Sequence, residues 1–266
     1  MAILYGPFLM ATSVCTYLLN FIFRNRKIDD WMVSFWGRIS CRMFGVRVHV
    51  VGLEHLHEVG GAVLVFNHAS FFDIFALADG IPGLRFGAKI ELFKIPFFGA
   101  AMMRLGMLPI DRARKESVFR IYDEATIRMQ NGERFALAPE GGRTKQQPEG
   151  RRTKPQPGHL TSRQPTGGEG RRSPDGNKDR TSREILAPFK SGPFVFAIQA
   201  QVPIVPVVIR GASQILPKGQ LFPNWDRWFR DVEVRILPPL STQNYDLKNR
   251  PDLQRQVYCE MQSQLN

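Results

Sequence analysis

The sequence has little cysteine, and two of its stretches each lack a whole class of side chain. Only three Cys occur in 266 residues, at positions 15, 41 and 259. An odd number so widely spaced excludes a disulfide scaffold and a structural zinc site. Residues 1–23 hold no charged residue and no His. Residues 143–184 hold one aliphatic side chain, Leu160, and no aromatic ring. Elsewhere apolar residues are plentiful. A hydrophobic fraction of 43% with 20 Phe can build a core, which excludes a wholly disordered chain.

The charge-free run from Ala2 to Phe23 is long enough to cross a bilayer, for which about 20 apolar residues suffice. Arg24, Arg26 and Lys27 follow at once. The basic start, short apolar stretch and small-residue cleavage site of a secretory signal are missing. Three placements fit: a membrane anchor that leaves the rest of the chain on the cytoplasmic face, a helix lying in the interface, or a buried helix of a soluble domain. The second arises because Thr12, Ser13, Thr16 and Asn20 dilute the run. Trp31, Phe35 and Trp36, interleaved with Arg38 and Arg42, suit a second, amphipathic helix, at headgroup level or against a core. Residues 1–45 therefore read as an N-terminal membrane-associated helical segment and 46–266 as the main domain.

The net charge is +12 and the pI near 10.1, so an anionic partner is expected: nucleic acid, a phospholipid surface or a phosphorylated substrate. Half of that charge lies in residues 143–184, which carry eleven basic and five acidic side chains with five Pro and six Gly. Such a segment cannot bury enough apolar surface to offset its ordering entropy. It reads as a disordered surface insert at about 145–183. It lacks the aromatic residues on which bases would stack, so nucleic acid is not expected as a partner. A short motif recurs at the edge of the insert and within it: Glu140–Thr144, Glu149–Thr153 and Glu169–Ser173.

Outside the insert, strand and helix patterns alternate. Strands are expected at Val46–Val51, Ala62–Phe66, Leu84–Ala88, Phe135–Ala138, Ile204–Ile209 and Val232–Leu237. Helices are expected at Phe71–Ala78, Phe97–Leu105, Ser117–Met129, Gly192–Gln199 and Leu253–Leu265. This order predicts an α/β fold with a largely parallel central sheet flanked by helices.

Four motifs carry candidate chemistry. Asn67-His68-Ala69-Ser70-Phe71-Phe72-Asp73 directly follows the expected strand Ala62–Phe66, and open α/β sheets form sites beyond their strands' carboxyl ends. Within one helix, residues five apart lie about 140° from each other and cannot meet. They can meet if His68 lies in the turn, Ser70 caps the helix and Asp73 sits in its first turn. His68 is then a general base and Asp73 fixes its tautomer. With no protein nucleophile beside them, the attacking group would be the substrate's own hydroxyl. Ser70-x-x-Asp73 is equally a capping box, and both roles can coexist. The second motif, Gly106–Arg112, places Arg112 after an apolar strand, suited to a phosphate or to an ion pair with Asp111. In the third, Pro139–Thr144, glycines let the backbone approach a ligand and Arg143 supplies an anion grip. The fourth, Val202–Val207, is a strand with an entry proline, or plain core.

In this order the motifs resemble the glycerolipid acyltransferase family, most closely its bacterial 1-acyl-glycerol-3-phosphate acyltransferases. Lys89–Gly99 and Pro188–Gly192 are similar to further segments of that family. The resemblance spans about Gly52 to Val208 without the insert. It implies acyl transfer from acyl-CoA or acyl-carrier protein to the free hydroxyl of lysophosphatidic acid, giving phosphatidic acid at a membrane. No metal and no redox cofactor is implied. His68 and Asp73 would be catalytic. Asn67, Ser70, Arg112, Glu140, Gly141, Arg143 and Thr144 would bind substrate. Val202, Pro203, Ile204 and Pro206 would line the acyl chain. The insert departs from the family pattern. Glu169–Ser173 is a second match to the third motif, and the strand before Glu140 favours the first copy. Two other readings remain: a different lysophospholipid acceptor, or a non-catalytic basic binding protein on a degenerate core.

Overall fold

The computed structural model describes residues 2–22, 25–111, 115–142, 185–216 and 229–265. Residues 145–183, read above as a disordered insert, lie outside them, as do Arg112, Arg143 and Thr144.

Seven strands form one sheet among the described residues: β1 (Val46–Val51), β2 (Ala62–Phe66), β3 (Leu84–Lys89), β4 (Leu108–Ile110), β5 (Arg134–Leu137), β6 (Ile204–Arg210) and β7 (Arg230–Ile236), in the order β1-β7-β6-β2-β5-β3-β4. Every neighbouring pair is parallel except β6 and β7. β2 lies at the centre, and all five of its residues are buried. This is the continuous apolar run of a strand covered on both faces. Ala62, Leu64 and Phe66 enter the core on one face with Phe72, Phe75 and Leu77, while Val63 and Val65 enter the other with Phe135, Phe194 and Val257.

Helices cover both faces: α1 (Ala2–Ile22), α2 (Arg26–Met43), α3 (Phe72–Gly80), α4 (Phe98–Arg104), α5 (Lys115–Gln130), α6 (Gly192–Ala200), the short α7 (Ala212–Ile215) and α8 (Arg250–Leu265). The α/β fold with a mostly parallel sheet stands as expected. α2 is capped by Asn25, whose side chain accepts from the Lys27 amide at 2.9 Å. It is tied to the domain by Arg85, which donates to Asp30 at 2.7 Å, and by Arg38, which donates to Asp79 at 3.1 Å. Trp36 meets Phe75 edge-on at 4.9 Å, whereas Trp31, stacked on Phe35 at 5.0 Å, is exposed.

The N-terminal run differs from the spanning anchor its length suggests. Among the described residues no helix is long and apolar enough to cross a membrane. α1 instead leans on α4. Ser13 and Thr16 are buried, and the hydroxyls of Thr12, Ser13 and Thr16 donate to carbonyls one turn back in the same helix. Met10 and Leu18 face outward. Of the polar residues that dilute the run, Thr12, Ser13 and Thr16 are turned toward the domain.

Candidate active site

β2 ends at Phe66, and the chain turns at Asn67–Phe71 into α3. Asn67 continues the ladder with its side chain: its amide nitrogen donates to the Ile209 carbonyl at 2.8 Å, and its oxygen accepts from the Ile209 amide at 2.7 Å. His68 follows. Its Nδ1 lies 2.9 Å from Oδ2 of Asp73, in the first turn of α3. The same oxygen accepts from the backbone amides of Ala69 and Ser70, each at 2.8 Å. Asp73 is nearly inaccessible, its side chain 2% exposed against 17% for His68. A carboxylate oxygen can only accept, so Nδ1 carries the ring proton and Nε2 is left as the acceptor.

Capping and imidazole support therefore coexist on one oxygen. Ser70 differs slightly from its expected role. The helix cap is Phe71, with no side-chain bond of its own. Ser70 Oγ accepts from the Phe72 amide at 3.2 Å and donates to the Leu216 carbonyl at 3.0 Å.

Glu140 arrives from the end of β5, the strand beside β2. Its Oε1 accepts from the His68 backbone amide and its Oε2 from the Ala187 amide, both at 3.1 Å. Burial pushes its carboxyl up to about 7, against the pull of those two amides. The Lys190 amide donates to the Pro139 carbonyl at 2.7 Å, so the chain on the far side of residues 143–184 is stitched to the near side beside His68. Gly141 adopts φ +72, and a Cβ there would come within 2.6 Å of the Lys190 side chain.

His68 opens onto a cavity of about 900 Å³. Apolar groups from several elements line it: Phe35 and Trp36 of α2, Phe86 of β3, Ala101 and Met102 of α4, and Leu137 of β5. Thr12, Ser13 and Thr16 of α1 complete one wall. Asp111, Gly141, Lys190 and Arg250 lie on it as well.

The expected site residues thus divide. His68, Asp73 and Glu140 are brought together. Only His68 and Gly141 among the described ones face the cavity; Asn67, Ser70 and Glu140 are not on its wall and instead bond the backbone around His68. Val202, Pro203, Ile204 and Pro206, expected to line the acyl chain, lie elsewhere than on the cavity. Those residues run into β6 at the middle of the sheet, where Val202 and Ile204 are buried in the core, and none borders the cavity. Lys190 was within a legible segment, Pro188–Gly192, whereas nothing in the sequence singled out Arg250 or the walls from α1, α2 and α4. Among the described residues no group of three or more His, Cys, Asp or Glu is placed to hold a metal ion.

Residues 47–210 match the model of a family described as Acyltransferase. The chain is 28% identical over 76% of its length to the chloroplastic 1-acyl-sn-glycerol-3-phosphate acyltransferase BAT2 of Brassica napus, and spans 48% of that protein. It is 28% identical over 90% of its length to the 1-acyl-sn-glycerol-3-phosphate acyltransferase of Saccharomyces cerevisiae, spanning 65% of it. It is 27% identical over 82% of its length to the human alpha enzyme of that name, spanning 64% of it. The chain thus covers about half to two thirds of these relatives. In fold it is similar to the crystal structure of the 1-acyl-sn-glycerophosphate (LPA) acyltransferase PlsC from Thermotoga maritima, with TM-score 0.60, 22% identity, 98% of this chain and 88% of that one covered.

Proposed function

The chain belongs to the acyltransferase family, and on that premise we propose that it acylates the free hydroxyl of 1-acyl-glycerol-3-phosphate, using acyl-CoA or acyl-carrier protein, to give phosphatidic acid. One observation carries this reading: an imidazole with Nδ1 held at 2.9 Å by a buried carboxylate, its ring on the wall of a cavity large enough for an acyl chain. The names of the curated relatives support the same acceptor.

Nε2 of His68 takes the proton of the acceptor hydroxyl as its oxygen attacks the thioester carbonyl. Asp73 steadies the imidazolium that forms. The tetrahedral intermediate collapses by breaking the carbon–sulfur bond, and the leaving thiolate recovers the proton from His68. An ester and a free thiol result, and the ring returns to its starting state. The reaction so written needs no group beyond the acyl donor. Glu140 acts through the His68 backbone rather than on substrate. By the motifs alone, Arg112 and Arg143 grip the acceptor's phosphate and Thr144 binds substrate. The acyl chain occupies the cavity between α2, β3 and α4. Both substrates have an amphipathic partner at hand in α1 and Trp31, whose exposed apolar groups suit contact with the cytoplasmic face of a bilayer.

His68→Ala should reduce transfer to lysophosphatidic acid to background while leaving the melting temperature and vesicle association unchanged. Undiminished turnover would remove His68 as the base.

A further inference from the structure

Two cations border the cavity that the four motifs do not explain. Lys190 follows the stretch 143–184, and Arg250 opens α8, outside the residues that match the family model. Neither has an acidic partner among the described residues. Asp252, the acid nearest Arg250 in sequence, faces Arg255 at 3.9 Å. The Nε of Arg250 is buried with no hydrogen-bond partner. A buried donor left unmade is costly, and a guanidinium donor set matches phosphate oxygens in geometry and charge.

Both cations are mounted on one rigid patch. The Lys190 amide donates to Pro139, and its side chain crosses Gly141, where the missing Cβ makes room. α8 is fastened to the same segment: Gln254 donates to the Phe189 carbonyl at 2.8 Å, and the Tyr258 hydroxyl donates to the Leu186 carbonyl at 3.1 Å. Ser191 and Gly192, at the start of α6, border the cavity beside them, and that helix has no side-chain cap. The other charged groups on the wall are Asp111 and Lys89, and Lys89 faces Glu91 at 3.9 Å.

We propose that Lys190 and Arg250 form a phosphate-binding subsite for a substrate of the reaction proposed above, on which this inference rests. The ligand is a phosphate ester: either the monoester of the acceptor or the phosphate groups of the acyl donor. Arg250 supplies the directional donors and Lys190 the second charge.

The test uses the full chain with Arg250→Met, Arg250→Lys and Lys190→Met. Steady-state rates are measured with lysophosphatidic acid and acyl-CoA varied separately. Each Met variant should raise one KM about tenfold, with kcat within about threefold and the melting temperature unchanged. Arg250→Lys should recover part of the loss. A rise in KM for lysophosphatidic acid assigns the subsite to the acceptor, and a rise for acyl-CoA assigns it to the donor. Both KM values within twofold of wild type would overturn the inference, as would a loss confined to kcat and melting temperature. Equilibrium titration with lysophosphatidic acid and with coenzyme A reads the subsite without turnover. A tenfold weaker affinity for one ligand in Arg250→Met supports it even if the wild type transfers no acyl group, an outcome that sinks only the acyl-transfer reading. Unchanged affinity for both ligands overturns the subsite.

Discussion

Asp73→Asn keeps the volume of a side chain that is 2% exposed and removes only its charge. In the native site one oxygen receives three donors, the His68 ring at 2.9 Å and the amides of Ala69 and Ser70 at 2.8 Å each. An asparagine oxygen turned the same way retains the two amide bonds in neutral form. Bonds to a charged acceptor are about twice as strong as neutral ones, so the turn loses about 1–2 kcal/mol of stability. The catalytic loss is larger. A carboxylate 2.9 Å from an imidazolium is worth about 6 kcal/mol at an effective dielectric of about 20. That sets a ceiling of about four decades in rate. We expect kcat for phosphatidic acid formation to fall about 10³–10⁴-fold, of the order known for the same change in a Ser-His-Asp triad. Thiol release from acyl-CoA measures the rate, and thermal unfolding measures the cap. A variant that melts a few degrees lower yet keeps kcat within tenfold would show that Asp73 only caps α3, and the base assignment would lose its support.

Glu140 makes stability depend on pH. Burial raises its carboxyl from 4.5 to about 7, so the folded protein holds a proton that the unfolded chain releases between those values. Stability therefore falls as pH rises through that window, by up to about 3 kcal/mol, and levels off above it; a difference in urea-unfolding free energy between wild type and Glu140→Gln that stays flat from pH 4.5 to 8 would refute this. Gly37→Ala should cost about 1–3 kcal/mol, because its Cβ would come within 2.7 Å of Ala78 Cβ and the Asp79 amide nitrogen, where α2 meets α3. An unchanged melting temperature would count against that packing. Ala101→Phe puts a ring into the wall of the cavity of about 900 Å³ and should shift donor preference toward shorter acyl chains. An unaltered kcat/KM series from octanoyl- to stearoyl-CoA would remove the cavity as the acyl site.

The sheet was legible because its central strands are long apolar runs with turn residues at both ends, as in Gly60-Gly61 before β2. β4, three residues with Pro109 in the middle, was readable only through the second motif, which sets Arg112 after an apolar strand, whereas α7, at four residues, is too short to show a period. His68 and Asp73 could be paired from spacing because both lie on one turn. Asn67 could not be read as a ladder residue, since its partner Ile209 lies far along the chain. That Val202, Pro203, Ile204 and Pro206 lie away from the cavity has a related cause. Val202–Val207 is apolar on both faces, and such a run looks the same against a cavity or inside a core. The walls of the cavity come mainly from α1, α2, β3 and α4, each contributing three or four positions from a separate stretch of the chain.

The turn after β2 is held residue by residue from different directions. Asn67 is bonded to β6, the His68 amide to Glu140 beyond β5, and the amides of Ala69 and Ser70 to Asp73 in α3. Folding the sheet therefore fixes the imidazole before any substrate arrives, and little ordering is left for the binding step. The same network gives the glutamate at the strand end, the first copy of the repeated motif, its place beside His68. Reaching the His68 amide requires a carboxylate beyond the carboxyl end of the strand next to β2, and Glu140 has that place by virtue of β5. Its second oxygen holds Ala187, so the chain that follows residues 143–184 is part of what steadies His68.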